Sequence, residues 1–311
     1  MKIAPVVVLY KPQELSIQNI INNILSYSQF CRMTFIVDNS SEDNTFITKY
    51  IPNSIYIHNK NKGGIAGALN RGIEEAIKHD FDYILTMDQD SSFEKGMFEK
   101  YVKQVRNNIS FADSFTLKLN LPAKKNTSLF KWPREYIPDC IKKFVKYKLL
   151  KKTMTEPAEE KEIVFVEKCF TSGNIISAEI WNKTGFFDED LFIDEVDFDF
   201  CSKIILVKGK ILKFNNCSMN HILGNQFFSV FPKCYYTKSR LRFYYIIRNK
   251  FIQKFRYESK LKVHDYKKEI RDFFIDYCIF NIKAPVYLWI FFRAKKDASI
   301  FCKNSNKDIL K

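Results

Sequence analysis

The chain has 311 residues, enough for one large domain or one domain with an appendage, and its 46% hydrophobic and 16% aromatic content is ample for a sizeable core. Its eight cysteines form no C-x-x-C pair, which argues against a zinc cage or a disulfide framework and suits a reducing cytosol. The net charge of +15 is uneven, because the segment from Cys234 to Lys311 has 19 Lys and Arg against 7 Asp and Glu.

The first hundred residues alternate strand and helix patterns. Apolar runs predict strands at 5–9, 34–37, 54–57 and 83–87, and helices between them around 15–25, 44–50 and 64–78. This order predicts an α/β fold with a mainly parallel, Rossmann-like sheet flanked by helices and joined by right-handed crossovers. The N-terminal apolar run is too short for a signal peptide, so we expect no export.

The later elements are less evenly spaced. Residues 107–162 lack a regular pattern and predict an insertion over one edge of the sheet. Regular patterns return at 163–166, at 171–176 and at 211–214, and an acidic stretch at 194–199 heads a predicted helix.

Two carboxylates follow the fourth predicted strand directly. Asp88 and Asp90 lie at the carboxyl end of a buried strand, where the positive partner of a costly buried acid is usually a ligand or a metal. Carboxylate oxygens suit Mg²⁺ or Mn²⁺, which in turn suit a diphosphate. The motif is short, however, and a solvated acidic turn explains it equally well.

Two earlier segments are candidates for binding a nucleotide. Asp38 closes the second strand, where its carboxylate could accept the N3–H of uracil or thymine or could cap an Asx turn. Gly63 and Gly64 permit close backbone approach at a helix N-terminus, which favours phosphate but also suits a plain turn.

Four acids lie within six residues among phenylalanines: Asp194, Glu195, Asp197 and Asp199. They predict either a solvated helix start or a partly buried site in which one carboxylate acts as a general base. His221 follows a strand and is either structural or a ligand.

The order of these motifs decides between the interpretations. The chain has D-N-S-S at 38–41, N-K-G-G-I-A-G-A-L-N-R-G at 61–72, D-Q-D-S at 88–91, S-G-N-I-I at 172–176, F-I-D-E-V-D at 192–197 and H-I-L-G at 221–224. In this order they resemble the family 2 glycosyltransferases of GT-A fold, and most of all the bacterial rhamnosyltransferases. The resemblance spans residues 3 to about 250.

The resemblance implies an inverting transfer of a sugar from a nucleotide-sugar donor. The favoured donor is dTDP-rhamnose, and the acceptor is a glycan or a polyprenyl-linked saccharide in bacterial surface polysaccharide synthesis. A UDP-sugar donor, hexosyl or galactofuranosyl, is the alternative within this class. A basic nucleic-acid-binding protein is the alternative from another class, but the acids at 88–90 and 194–199 would repel phosphates, so no nucleic-acid partner is expected.

The resemblance also implies residue roles. The Mg²⁺ or Mn²⁺ ligands would be Asp90, Asp88 and His221. The catalytic base would be Asp197, with Asp194 as the alternative, although Lys203 stands where the family more commonly has Arg. The donor contacts would be Asp38, Gly63, Gly64, Arg71 and Asp88. The acceptor side would be lined by Thr171, Ser172, Gly173 and Asn174.

The basic, aromatic tail predicts a second unit. We expect a GT-A domain at 1–233 and a helical extension at 234–311, with Leu241, Tyr244, Ile247, Phe251 and Phe255 on one helical face. The apolar stretch at 273–292 contains too many charges to span a bilayer. It predicts either an interfacial helix, holding the protein peripherally on the cytoplasmic face of the plasma membrane against anionic lipid, or an ordinary helical subdomain.

Overall fold

The computed structural model describes residues 1–14, 16–120, 161–221, 226–227, 235–236, 239–261, 265–274 and 284–308. Most of the predicted insertion at 107–162 and residues 222–224 of the H-I-L-G motif lie outside these ranges. The strands are β1 Ile3–Leu9, β2 Thr34–Asp38, β3 Ser54–His58, β4 Tyr83–Asp88, β5 Ser91–Ser92, β6 Ser114–Asn120, β7 Ile163–Val166, β8 Asn174–Ser177, β9 Ile211–His221, β10 Gln226–Phe227 and β11 Tyr235–Tyr236. The α-helices are α1 Ile17–Ser28, α2 Gly64–Lys78, α3 Met97–Asn108, α4 Ala178–Thr184, α5 Val196–Leu206, α6 Arg240–Tyr257, α7 Tyr266–Phe274 and α8 Ala284–Asp308.

The central sheet has two halves. The order β3-β2-β1-β4 is parallel throughout, as predicted, and places the carboxyl ends of these strands at one edge. Beyond β4 the order continues β8-β6-β9-β5, with β7 also on β9, and among the described strands only the β6–β9 pair is parallel in this half. The sheet is therefore mixed, because strands far apart in the sequence complete it.

Helices cover both faces of the sheet. On one face Val7, Ile36 and Leu85 pack with apolar residues of α1 and α3. On the other face the sheet packs with α2, α5, α6 and α8 in one cluster. Strands buried on both sides explain why the parallel half has continuous apolar runs rather than alternating ones.

The C-terminal helices belong to this second core layer. Phe243 and Ile247 of α6 and Phe291 and Ala294 of α8 lie in the same cluster as Val6 of β1. The C-terminal helices therefore pack against the domain predicted for residues 1–233, and the predicted boundary itself lies outside the described residues. None of the helices in the described part of the chain is long and apolar enough to cross a membrane.

The buried face of α6 differs from the apolar face that the sequence predicts. Leu241 is 63% exposed and Phe255 is 43% exposed, whereas the buried face includes two amides, Asn249 and Gln253. Periodicity places apolar residues inward and so misses a face whose polar side chains hydrogen-bond to a neighbouring loop.

Candidate active site

Asp88, Asp90 and His221 meet at the carboxyl edge of β4. The short strand β5 pairs antiparallel with the end of β9, with Ser91 opposite His221. One potential ligand atom from each of Asp88, Asp90 and His221 lies within 4.8 Å of the others. His221 Nδ1 is 3.4 Å from Asp90 Oδ1 and 2.7 Å from Ser91 Oγ. The pairing of two distant segments thus assembles the three predicted ligands.

Gln89, between the two acids, fixes the shape of this turn. Its side chain accepts a hydrogen bond from the Tyr10 amide at 2.9 Å and donates one to the Tyr10 carbonyl oxygen at 3.0 Å. Its own carbonyl oxygen accepts from Asn23 Nδ2 at 3.1 Å. Gln89 therefore anchors the two acids to β1 and α1, a role that the short motif does not reveal.

The electrostatics of this cluster suit a cation. Burial, followed by the neighbouring Asp90, raises the pKa of Asp88 to about 6. Burial also raises the pKa of Asp90, while His221 opposes the rise in both carboxylates. Two carboxylates and one imidazole that are costly to hold together form a donor set for a hard or borderline divalent ion such as Mg²⁺ or Mn²⁺, so the residues present fit the metal that the sequence implies.

Three of the four acids at 194–199 are paired with cations of α6. Arg242 donates two hydrogen bonds to Asp194, at 2.8 and 3.0 Å. The other two pairs are Lys250 with Glu195 at 2.8 Å and Arg256 with Asp199 at 3.2 Å. The basic residues of this helix thus neutralise the acidic segment within the molecule.

Asp197 differs from these three acids. Its carboxylate accepts the amide of Phe198 at 2.9 Å, and within the described ranges no Lys, Arg or His forms an ion pair with it. Burial, followed by the negative charge of Glu195 and then Asp194, raises the pKa of Asp197 to about 7. A carboxylate with a pKa near neutrality and no cationic partner is suited to accept a proton.

Arg242 interacts both with the acidic segment at 194–199 and with the cluster formed by Asp88, Asp90 and His221. Its guanidinium is held by Asp194 and its side chain is 49% exposed. Its pKa is raised by the hydrogen bonds with Asp194 first and also by the charge of Asp88, so the guanidinium lies within electrostatic reach of both groups. The sequence placed Arg242 in the basic tail, and no local signal connects it to acids 48 residues earlier in the chain.

The expected contact of Asp38 with a nucleobase is not supported. Asp38 is 0% exposed, and its carboxylate accepts hydrogen bonds from the Ser40 amide at 2.8 Å, Asn44 Nδ2 at 2.7 Å and the Tyr56 hydroxyl at 2.7 Å. The bond to Ser40 closes an Asx turn. The capping alternative therefore describes this residue, because its oxygens are used inside the fold.

Gly63, which precedes α2, and Gly64, its first residue, lie against other parts of the protein itself. A Cβ on Gly64 would lie 2.1 Å from the carbonyl oxygen of Phe192, and one on Gly63 would lie 2.4 Å from a carboxylate oxygen of Glu189. The Ile65 amide also donates to the Phe192 carbonyl oxygen at 2.9 Å. The close approach predicted for a phosphate is thus taken by the 189–192 segment. Arg71, further along α2, is exposed and donates to Asn59 at 3.2 Å.

The segment predicted to face the acceptor divides in two. The hydroxyl of Ser172 is 2.8 Å from that of Ser91 and accepts the Asp88 amide at 3.3 Å, beside the cluster. Thr171 is half-buried, and the Gly173 amide donates to a carbonyl oxygen of β4. Asn174 is 3% exposed and accepts a hydrogen bond from Ser114 in the sheet, so its side chain supports the strands and does not reach a cleft.

The comparisons with known proteins agree with this architecture. Residues 6–117 match the model of the family described as Glycosyl transferase family 2. Residues 6–117 therefore carry a family 2 glycosyltransferase domain. A curated relative, the dTDP-rhamnosyl transferase RfbF of Shigella flexneri, is 25% identical over 190 residues, which are 61% of this chain and 59% of RfbF. The match thus spans less than two thirds of that relative's length.

Solved glycosyltransferases share the GT-A fold of this chain. The structure of S. aureus TarS 1-349 in complex with UDP-GlcNAc superposes with a TM-score of 0.56 at 15% identity and covers 96% of this chain and 80% of that chain. The structure of GalNAc-T7 with UDP, GalNAc and Mn²⁺ gives a TM-score of 0.53 at 12% identity and covers 91% of this chain and 57% of that chain. Identities this low show the fold alone.

The family match covers only part of the candidate site. It includes Asp88 and Asp90 but ends before Asp197, His221 and Arg242. The positions of these last three residues, on α5, β9 and α6, therefore come from the geometry described above.

Proposed function

We propose that this family 2 glycosyltransferase moves a sugar, with inversion, from a nucleoside-diphosphate sugar onto a hydroxyl group of a glycan or polyprenyl-linked saccharide. The observation that carries the proposal is the contrast among its acids. Asp194, Glu195 and Asp199 are paired with cations, whereas Asp197 accepts a backbone amide, pairs with no cation among the described residues and has a pKa raised to about 7. Such a transfer requires a base that no cation neutralises and a metal site for the diphosphate, and the chain offers a candidate for each.

The proposed chemistry assigns one task to each group. The acceptor oxygen forms a bond to the anomeric carbon while the bond from that carbon to the diphosphate oxygen breaks, and Asp197 takes the acceptor proton. Asp88, Asp90 and His221 would hold Mg²⁺ or Mn²⁺, which supplies Lewis-acid stabilisation of the departing diphosphate. Arg242, fixed by Asp194, would add a positive charge for the same group.

Among donors we favour dTDP-rhamnose. The support is the similarity to the dTDP-rhamnosyl transferase RfbF, together with the motif order from D-N-S-S to F-I-D-E-V-D. UDP-sugars are the second candidate, because TarS and GalNAc-T7, which share the fold, were solved with UDP or UDP-GlcNAc. We keep Gly63, Gly64 and Arg71 as proposed donor contacts after the metal site. Glu189 already lies against Gly63, Phe192 lies against Gly64, and Asn59 accepts a hydrogen bond from Arg71.

The test is a transfer assay with a membrane lipid extract as acceptor and labelled dTDP-rhamnose, UDP-glucose and UDP-galactofuranose as donors, with and without Mn²⁺. We expect metal-dependent transfer, highest with dTDP-rhamnose, that is lost in Asp197→Asn but retained in Asp80→Asn. Asp80 is an exposed aspartate in a left-handed conformation that asparagine also adopts, which makes it a matched control. Loss of transfer in Asp194→Asn alone, with Asp197→Asn active, would reverse the assignment of the base.

We further propose that α8 holds the protein peripherally on an anionic, cytoplasmic membrane surface. Trp289, Phe292 and Ile300 are 61%, 58% and 47% exposed, and Arg293, which is 60% exposed at its side chain, lies over the Trp289 ring at 5.3 Å. Aromatic and basic groups together on the exposed side of one helix suit an interfacial position. On α6, by contrast, the cations Arg242, Lys250 and Arg256 pair with acids of the same chain, which also weakens the nucleic-acid alternative.

The membrane proposal is tested by sedimentation with phosphatidylglycerol-containing liposomes. Removing the tail is unsuitable, because Phe291 and Ala294 lie in the core. Trp289→Ser with Phe292→Ser should reduce liposome binding and leave turnover of a soluble acceptor unchanged, whereas Phe111→Ser, at a residue 59% exposed elsewhere, should change neither. Unchanged binding by the double variant would overturn the proposal.

A further inference from the structure

The segment that leads into α5 has an unfavourable backbone. Phe192, Asp194 and Glu195 have φ values of 64°, 59° and 65°, although none is glycine. Side chains other than glycine seldom adopt this left-handed conformation, and they keep it only where the surrounding structure imposes it. Since Asp197 lies two residues after Glu195, the direction of its carboxylate depends on how this segment, Leu191–Glu195, is held.

Two amides of α6 hold the Leu191–Glu195 segment. Asn249 is 0% exposed, and its Nδ2 lies 2.9, 2.9 and 2.8 Å from the carbonyl oxygens of Leu191, Ile193 and Asp194. One helical turn later, Gln253 is 1% exposed and donates to the carbonyl oxygen of Glu195 at 3.0 Å. Four carbonyl groups of the segment therefore accept from two side chains spaced i, i+4 on one helix face.

Within the described residues, the donors of both amides bond to this segment alone, since the second contact of Gln253 is with the carboxylate of Glu195 at 3.3 Å. Buried amides are costly unless they are hydrogen-bonded, so a helix that buries two of them against one loop determines the shape of that loop. The ion pairs of Arg242 with Asp194 and Lys250 with Glu195 attach the same segment through its side chains. The amides also bind the carbonyl groups of the backbone, which is the part that must stay left-handed.

We infer that Asn249 and Gln253 are positioning residues, which fix the Leu191–Glu195 segment and thereby aim the carboxylate of Asp197 at the acceptor hydroxyl. The inference rests on the proposed function, because it assigns a purpose to the segment only if Asp197 is the base. It also explains why α6 presents a polar stripe to the core, which helical periodicity does not predict.

The test uses Asn249→Ser and Gln253→Met, each of which removes amide donors. We expect kcat to fall about 10²-fold, the size of loss that a displacement of about 1 Å in a reacting group produces, while the KM for the donor changes little. The matched controls are Asn22→Ser and Gln18→Met, at exposed positions of α1 whose amides bond to each other, and these should retain wild-type kcat.

The pH profile distinguishes positioning from a general loss of folded protein. The charged and titratable groups near Asp197 are Glu195 and Asp194 of its own segment and the Cys169 thiol of the segment between β7 and β8. Arg242 and Lys250 of α6 pair with Asp194 and Glu195. Release of the segment lets water reach Asp197 and separates it from the two acids, which lowers its pKa. The acidic midpoint, the pH at which kcat falls to half on the acidic side of the profile, should therefore be lower in both variants.

Each outcome has a distinct meaning. A lower kcat with a lower midpoint supports the positioning role. Unchanged kcat in both variants, or a fall that tracks the folded fraction with an unmoved midpoint, overturns it while the proposed function stands. Absence of transfer by the wild-type protein overturns the proposed function and the role of Asp197 with it. Gln253→Met, which leaves the three Asn249 bonds in place, keeps the test available if Asn249→Ser does not fold.

Discussion

Asp197→Asn should make the protein more stable while it abolishes transfer. The side chain keeps its shape but can no longer carry a charge. In the folded protein the pKa of Asp197 is about 7 rather than the ordinary 3.8, because of burial and the charges of Glu195 and Asp194. At about 1.4 kcal/mol for each pH unit, ionising this group in the fold costs about 4 kcal/mol above pH 7.

The direction of the pH dependence follows from this raised pKa. Below pH 3.8 the carboxyl is neutral in both folded and unfolded chains, so it costs nothing. Between pH 3.8 and 7 it ionises in the unfolded chain first, and the fold loses stability progressively as the pH rises. The gain from Asp197→Asn should thus be below about 1 kcal/mol at pH 4 and reach about 4 kcal/mol at pH 8.

Urea unfolding of wild type and variant at pH 4, 6 and 8 measures this gain, and Asp80→Asn is the matched control. The reasoning fails if Asp197→Asn is no more stable than wild type at pH 8, or if its gain is equal at all three values. Either result would mean that the carboxylate is already stabilised in the fold by a partner and is not held ready for a proton.

Three further predictions concern the surroundings of this base. Mn²⁺ binding, followed by titration calorimetry, should weaken as the pH falls below about 6, where Asp88 takes up a proton, and constant affinity from pH 7 to 5 would contradict the metal assignment. Gly64→Ala should destabilise the fold by at least about 1–3 kcal/mol in urea unfolding, because its φ is +62° and the added Cβ would meet the Phe192 carbonyl oxygen; a neutral effect would contradict the packing described. Arg242→Lys should raise the KM for the donor about tenfold, since lysine cannot form the two-bond contact with Asp194 that fixes the charge, and an unchanged KM would exclude Arg242 from the donor site.

The parallel half of the fold could be predicted from the sequence because its signals are local. Strands buried on both faces, such as Tyr83–Asp88, are continuous apolar runs, and each is followed by a helical pattern. The antiparallel half depends on pairings between distant segments, such as Ser91 with His221, which no local pattern specifies. The order of the motifs, through the family resemblance, nevertheless predicted that Asp88, Asp90 and His221 form one site.

The environment of each candidate acid could not be predicted in the same way. The sequence around Asp38 suits both a capping role and a nucleobase-binding role. Which role applies depends on whether Asn44 and Tyr56 reach its carboxylate. Similarly, Asp194 and Asp197 are equivalent by composition. They become distinct because Arg242 forms an ion pair with Asp194. Arg242 lies on α6, a basic helix whose composition alone suggests a membrane or a nucleic acid as its partner.

The measurement that tests the central claim most directly is a thermal-shift titration of the whole chain with dTDP, UDP and their sugar conjugates, with and without Mn²⁺, for the wild type and Asp90→Asn. The account predicts a rise in Tm with a nucleoside diphosphate that requires Mn²⁺ and is lost in Asp90→Asn, with dTDP compounds above UDP compounds. A larger rise with UDP compounds would change the sugar donor and keep the site. No rise with any nucleotide, or a rise that is independent of both Mn²⁺ and Asp90, would contradict the assignment of Asp88, Asp90 and His221 as the site of a nucleotide-sugar transferase.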